Sequence, residues 1–232
     1  MICNSSASPA LALFDLDNTL LGGDSDYLWG RFLVEQGLVD AAEYEAANRR
    51  FYDDYRQGRL DIHAFLRFAL RPLTQHPPNR LEALRERFVE EKIEPILLPA
   101  ARRLIECHRR RGDRLAIVTA TNAFVTAPIA RRLGVETLIA TEPERIDGRY
   151  TGEVKGIPCF REGKVLRIQQ WLGEATDLSS AVFYSDSHND LPLLSRVGCP
   201  VAVDPDERLE RHAREQGWPI LSLRRGPEPV RL

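Results

Sequence analysis

Nowhere does this chain approach the roughly 20 consecutive apolar residues that a membrane-spanning helix requires, so no membrane partner is indicated. Excess charge of one sign is missing too. Lys and Arg total 32 against 34 Asp and Glu, leaving a formal net charge of -2. Without a basic field, no general nucleic-acid affinity is expected. Cysteine is scarce: Cys3, Cys107, Cys159 and Cys199 form no C-x-x-C pair and no metal-ligand spacing, which excludes a zinc ribbon. They read as reduced, mostly structural thiols of a cytoplasmic protein. Met1 to Pro9 has neither a basic region nor a long apolar stretch, so a secretory signal is not expected there. The chain also lacks internal repeats and low-complexity tracts.

What is present is enough for a globular fold. The 232 residues are 43% hydrophobic, sufficient for a sizeable core in one domain with an insertion or in two small domains. An apolar run, Ala10-Leu11-Ala12-Leu13, leads into Phe14-Asp15-Leu16-Asp17-Asn18-Thr19-Leu20. The run reads as a buried strand. Residues two apart share a face while the chain stays extended, so Asp15 and Asp17 can reach one site. Like charges that close need a cation or a shared proton. The plainer reading of such acids is a pair of solvated turn residues.

Later segments carry the same grammar. Leu115-Ala116-Ile117-Val118 runs into Thr119-Ala120-Thr121-Asn122, and Ala181-Val182-Phe183-Tyr184 runs into Ser185-Asp186-Ser187-His188-Asn189-Asp190, with Gly163-Lys164 between them. Open parallel α/β sheets bind ligands outside the carboxyl ends of their strands. Each residue has a structural rival. Thr119 suits a strand interior, Lys164 a solvated surface beside Arg161, Glu162 and Arg167, and Asp186, Asn189 and Asp190 a helix start. Thr19 reads as a hydrogen-bonding turn residue and His188 as an exposed loop histidine.

Taken in order, these motifs resemble those of haloacid-dehalogenase-superfamily phosphatases, in the branch similar to phosphoserine phosphatases. Asp15, Asp17 and Thr19 match the Asp-x-Asp-x-Thr motif. Thr119 matches the strand-terminal hydroxyl, Lys164 the lysine, and Asp186 with Asp190 the final acid pair. Ser185 and His188 depart from the related Gly-Asp-Gly-x-Asn-Asp form. The resemblance implies a Rossmann-like three-layer α/β core with a mostly parallel sheet and an inserted all-helical cap. It also implies Mg²⁺ as cofactor, held by Asp15, Asp186 and the backbone carbonyl of Asp17, with Asp190 holding a metal-bound water. Asp15 would attack phosphorus and form an aspartyl phosphate, and Asp17 would act as acid and then base. Thr119 and Lys164 would hold the phosphoryl oxygens, and Asn189 would help orient the phosphate.

The core is expected over 8–21 and 96–223, the cap over 22–95, and loose tails over 1–7 and 224–232. Within the cap, Leu28, Phe32 and Leu33 suit one apolar helix face, as do Phe51, Tyr52 and Tyr55; Ile62, Phe65, Leu66 and Ala69; and Leu81, Leu84 and Phe88. Pro99 opens a helix that Gly112 stops. A strand at Thr137–Ala140 follows a helical stretch broken or kinked by Pro128. Asp147-Gly148 signals a hairpin.

The expected partner is a small phosphorylated metabolite. Asp24 falls where phosphoserine phosphatases place an acid for the substrate amine, with Asp26 as an alternative and a helix-start acid as the plain reading. Their cap arginine for the substrate carboxylate aligns with Ala69, and Arg67 lies on another helix face. A substrate with an amine and no carboxylate, such as histidinol phosphate, fits that pattern better than phosphoserine. Other readings stay open: a phosphotransferase of the same fold, a receiver-like switch that keeps its aspartyl phosphate, and a catalytically silent binding protein.

Overall fold

The computed structural model describes residues 11–173 and 177–232. Cys3, the first tail and the start of the first strand at Ala10 lie outside them. A seven-stranded sheet runs in the order β3-β2-β1-β6-β7-β8-β9. Its strands are β1 (Leu11–Phe14), β2 (Arg114–Asn122), β3 (Thr137–Thr141), β6 (Val182–Ser185), β7 (Cys199–Val203), β8 (Ile220–Ser222) and β9 (Val230–Arg231). All pair in parallel except β9, which runs antiparallel to β8.

Strand alternation sorts side chains to two faces. Ala12, Phe14, Ile117, Tyr184 and Val203 meet α5 (Pro99–Arg110) and α6 (Ala123–Arg132) in one core cluster. Leu13, Ala116, Val118, Phe183 and Ala202 meet α7 (Glu162–Leu172), α8 (Leu191–Leu194) and α9 (Glu207–Gln216) in another. The result is the Rossmann-like α/β core with helices on both faces that the alternating elements imply.

Between β1 and β2 the chain is helical: α1 (Ser25–Glu35), α2 (Ala41–Arg56), α3 (Ile62–Thr74) and α4 (Pro78–Phe88), then a π turn at Val89–Ile93 and a 3-10 turn at Glu94–Ile96. Asp24, Asp40 and Asp61 cap the first three helices, Asp24 and Asp61 each accepting from two backbone N–H groups of the first turn and Asp40 from one. Trp29, Phe32 and Phe88 interlock at centroid distances of 5.2–5.7 Å and are fully buried. Burial of each phenylalanine stabilises the fold by about 2 kcal/mol or more. The chain leaves and re-enters the sheet side by side, through an antiparallel bridge between Leu21 and Leu97 and a Gly22 N–H bond to the Ile96 carbonyl at 2.8 Å.

Several expected details are realised. Pro99 sits in the first turn of α5. Asp147 and Gly148, both at positive φ, turn the hairpin of β4 (Pro143–Ile146) and β5 (Arg149–Val154), and β5 packs on α3. Lys164 falls in the first turn of α7, whereas the expected break at Pro128 is not found: α6 runs on through it, with Pro128 buried inside. Other details differ. Residues 224–232 carry the edge strand β9. Tyr52 does not join an apolar core but is exposed. Cys159 and Cys199 are free thiols, whereas Cys107 is in a disulfide, which departs from the expectation of uniformly reduced cysteines. Among the described residues, no helix is long and apolar enough to cross a membrane.

Candidate active site

Strand order reverses about β1, with β2 on one side and β6 on the other. Ligands bind at such a switch point, beyond the carboxyl ends of the strands. Asp15 leaves the end of β1, its N–H bonded to the Tyr184 carbonyl at 2.9 Å, and Asp186 leaves the end of β6. The two carboxylates meet through Thr19. Its hydroxyl lies 3.0 Å from Asp186 Oδ1 and 3.4 Å from Asp15 Oδ2, while accepting from the Asp186 N–H at 3.0 Å. Thr19 is thus a turn residue that spaces the two acids.

Lys164 is buried, not solvated. Its Nζ donates to Asp15 Oδ1 at 2.8 Å and to Asp190 Oδ2 at 2.7 Å. Burial works against its charge, but the carboxylates of Asp15 and Asp190 outweigh that and raise its pKa above the ordinary lysine value. Asp190 also accepts from Ser185 Oγ at 2.7 Å. The serine that replaces a glycine of the related pattern therefore holds an acid in place.

Asp17 is fixed from two sides. Its Oδ1 accepts from the Ser25 N–H at 2.6 Å and its Oδ2 from Thr121 Oγ1 at 2.8 Å. Burial, then the nearby Asp24 carboxylate, raises its pKa to about 6, partly offset by those hydrogen bonds. Burial raises Asp15 to about 7, against the pull of Lys164. Thr119 is buried, and its Oγ1 accepts from the Thr121 N–H at 3.2 Å.

A cavity opens above these groups. Asp15, Asp17, Thr119, Lys164 and Asp190 form its floor, and its far wall comes from the helical segment: Asp24, Asp26, Tyr27, Asn48, Phe51, Tyr52, Tyr55, Ile62 and Phe65. Among the residues lining it, Lys164 is the one cation. Asp24 is the helix-start acid of the plain reading. Oδ1 caps α1, and the residue also faces the cavity. Asp186 lines an adjoining cleft with Asn18, Tyr55, Arg208 and Arg224.

Asn189 is used differently from the phosphate-orienting part expected of it. It is buried, outside the cavity lining. Its Oδ1 accepts from Arg161 Nε at 3.1 Å, and its Nδ2 donates to the Tyr55 carbonyl at 3.2 Å. It ties α2 to the loop after β6. His188 is not an exposed loop residue. Its Nδ1 pairs with Asp206 at 2.7 Å in a largely buried position.

Several contributors carried no local signal: Ser25, Thr121, Ser185, and Tyr55, whose hydroxyl donates to Ser187 Oγ at 3.0 Å. Thr121 lies two residues beyond Thr119, and that spacing was the one available hint.

Among the described residues no three His, Cys, Asp or Glu side chains gather closely enough to bind a metal by themselves. The donor set nevertheless fits a hard divalent cation. Asp15 and Asp186 converge on one hydroxyl, both have raised pKa values through burial, and Lys164 is the one cation lining the cavity against Asp15, Asp17, Asp24, Asp26 and Asp190. Hard oxygen donors of this kind are what such a cation takes.

The model of the haloacid dehalogenase-like hydrolases matches residues 12–195. The chain belongs to that family. Among its relatives, a histidinol-phosphatase of Neisseria meningitidis serogroup C (strain 8013) is 46% identical over 219 residues, 92% of this chain and 99% of the relative. A phosphoserine phosphatase of Mycobacterium tuberculosis is 34% identical over 227 residues, 96% of this chain and 74% of the relative. Within the hydrolase family the chain is a phosphatase. A crystal structure of a protein of unknown function from Bordetella pertussis Tohama I superposes with a TM-score of 0.87 at 46% identity, over 94% of this chain and 100% of that one. Substrate-bound phosphoserine phosphatase shares the fold with a TM-score of 0.66 at 22% identity, covering 89% and 91% of the two chains.

Proposed function

We propose that this phosphatase is a Mg²⁺-dependent phosphomonoesterase working through an aspartyl phosphate on Asp15, with histidinol phosphate as its substrate. The helical segment over 22–95 acts as a cap over a core of 8–21 and 96–223, and the setting is cytoplasmic. The observation that carries the chemistry is the pairing of Asp15 with Lys164 beside an independently anchored Asp17.

Lys164 holds one oxygen of Asp15 and so aims the other. An Asp15 oxygen attacks phosphorus in line, forming the O–P bond as the P–O bond to the leaving alcohol breaks. Asp17 gives its proton to the departing alkoxide. It then takes a proton from water, whose oxygen attacks phosphorus and breaks the Asp15–P bond, releasing phosphate. A pKa of about 6 suits a group that must do both near neutrality. Thr119 and Lys164 stand at the cavity floor, where charge develops on the phosphoryl oxygens. Asp15, Asp186 and the Asp17 carbonyl would hold Mg²⁺, whose charge favours ionised Asp15 over ionised Asp17 and offsets repulsion between carboxylate and phosphate. Asp190 would steady a water on it.

Substrate choice rests on what the cavity lacks. No arginine lines it, Ala69 is buried at the aligned arginine position, and Arg67 is exposed. A substrate carboxylate would meet Asp24 and Asp26 unpaired, whereas an amine would meet acceptors. Aromatic walls suit a ring. The name carried by the Neisseria relative supports the same substrate.

The test is phosphate release from histidinol phosphate, phosphoserine, sugar phosphates and an aryl phosphate, with and without Mg²⁺, by the natural chain and by Asp15→Asn. Mg²⁺-dependent turnover that prefers histidinol phosphate and vanishes in the variant is expected. A clear preference for phosphoserine would overturn the substrate.

A further inference from the structure

Asp26 takes no part in the bond-making steps above and enters the substrate reading only as an acid of the cavity wall. It sits in the first turn of α1 and lines the cavity, yet its Oδ2 is buried and has no hydrogen-bond partner. A carboxylate left in this state loses the water it would bind and gains nothing in return. The neighbouring charged groups do not relieve it, because Asp24 and Asp17 are both acids. Its neighbour is satisfied differently: Asp24 Oδ1 accepts from the N–H groups of Asp26 and Tyr27 at 3.0 and 2.9 Å. The wall therefore holds two separate acceptor groups, one built into a helix cap and one with an unpaired oxygen.

Aromatic rings line the same cavity as Asp26. Tyr27 and Tyr52 lie 5.9 Å apart between centroids, and Phe51 continues the wall. An ammonium is drawn to such faces without direction, whereas a planar nitrogen heterocycle stacks on them and can also present an in-plane N–H to a carboxyl group.

We infer that Asp26 is a specificity-determining residue that accepts the ring N–H of a nitrogen-heterocyclic substrate, leaving Asp24 to the amine. The inference rests on the proposed substrate class. It follows that smaller amino phosphates should bind less well, because they reach Asp24 but leave Asp26 unpaired. Loss of a hydrogen bond to a buried polar group costs about a factor of ten in affinity.

The experiment compares Asp26→Asn and Asp24→Asn with the natural chain on histidinol phosphate and on ring-free 2-aminoethyl phosphate. Asp26→Asn, similar in shape, should raise KM for histidinol phosphate about tenfold, with kcat little changed and the ring-free substrate unaffected. Asp24→Asn should weaken both. Equal effects of Asp26→Asn on the two substrates, or none, overturn the inference.

A second readout separates this inference from the substrate reading. Histamine and ethylamine compete against hydrolysis of an aryl phosphate. If histidinol phosphate itself is not turned over, histamine inhibition weakened about tenfold by Asp26→Asn, with ethylamine unchanged, still supports the role of Asp26. Histamine inhibition that is absent, or insensitive to the variant, overturns it. A melting curve matching that of the natural chain verifies that each variant is folded.

Discussion

The backbone N–H of Ser25 donates to Asp17 Oδ1 at 2.6 Å, so the proposed proton-transfer group is held by the first residue of the helical segment that covers it. Thr121 holds the other oxygen from the opposite side, out of β2. The position of α1 and the orientation of the acid are thereby one structural fact.

Removing the second anchor changes that acid in a definite direction. Burial raises the Asp17 pKa most, and the Thr121 hydroxyl opposes it by bonding the charged form. Thr121→Val should push the pKa higher, shifting the acid limb of the kcat–pH profile upward. Asp17→Asn should lower kcat by about 10²–10⁴-fold. Pre-steady-state phosphate release on both variants provides the check, and an unmoved acid limb in Thr121→Val contradicts the account.

Lys164 is buried between two acids, so Lys164→Met should leave Asp15 and Asp190 facing each other without a cation. Breaking a buried pair from one side costs about 3–5 kcal/mol. Urea unfolding should show a loss of that order, reduced where one carboxyl takes up a proton. Turnover should disappear.

Gly58 stands where the turn after α2 touches the core, at φ +69°. Its carbonyl accepts from Arg161, and Arg208 donates to the Gln57 carbonyl at 3.1 Å. A Cβ here would lie 3.0 Å from His188 Nε2 and 3.2 Å from both guanidinium groups. Gly58→Ala should cost about 1–2 kcal/mol through its left-handed conformation. Arg161→Ala should raise KM and expose the turn at 57–60 to proteolysis. Limited digestion alongside steady-state kinetics tests this, and unchanged digestion would show that the contacts do not secure the turn.

His108 gives a pH signature remote from the cavity. It is buried with Nδ1 2.7 Å from Asp113 and Nε2 2.8 Å from the Tyr184 hydroxyl. Burial lowers its pKa despite Asp113, so the folded chain keeps it neutral where the unfolded chain takes a proton. Unfolded chains bind more protons below about pH 6.5, and stability from this group therefore falls with pH below that value. The stability advantage of the natural chain over His108→Gln should be constant above about pH 7 and shrink below about pH 6.5. A constant difference from pH 5 to 8 would be the opposite result.

The sheet was readable because its strands are short apolar runs whose polar exits fall at their carboxyl ends; Asp15, Thr119 and Asp186 lie at or just beyond those exits. Lys164 was readable only through the ordered motif set, since its neighbours Arg161, Glu162 and Arg167 resemble a surface face. Thr121, Ser25 and Tyr55 were not readable. Their partners lie 104, 8 and 132 residues away, and hydroxyls and backbone N–H groups leave no periodic trace. The contacts of Asn189 and His188 are not legible for the same reason, since they depend on Tyr55, Arg161 and Asp206 arriving from elsewhere. Strands β8 and β9, three and two residues long, are too short to show alternation.

The Leu21–Leu97 bridge brings the two crossings of the chain into direct contact. The helices between them can be lengthened or exchanged while the two ends still meet, so the phosphate-handling floor need not change when the roof does, provided the Ser25 N–H keeps its bond to Asp17. Descent from a common ancestor could then proceed by exchanging roofs over a retained reaction centre, and a graft of residues 22–96 onto a relative would carry substrate preference with it while leaving the bond-breaking machinery behind.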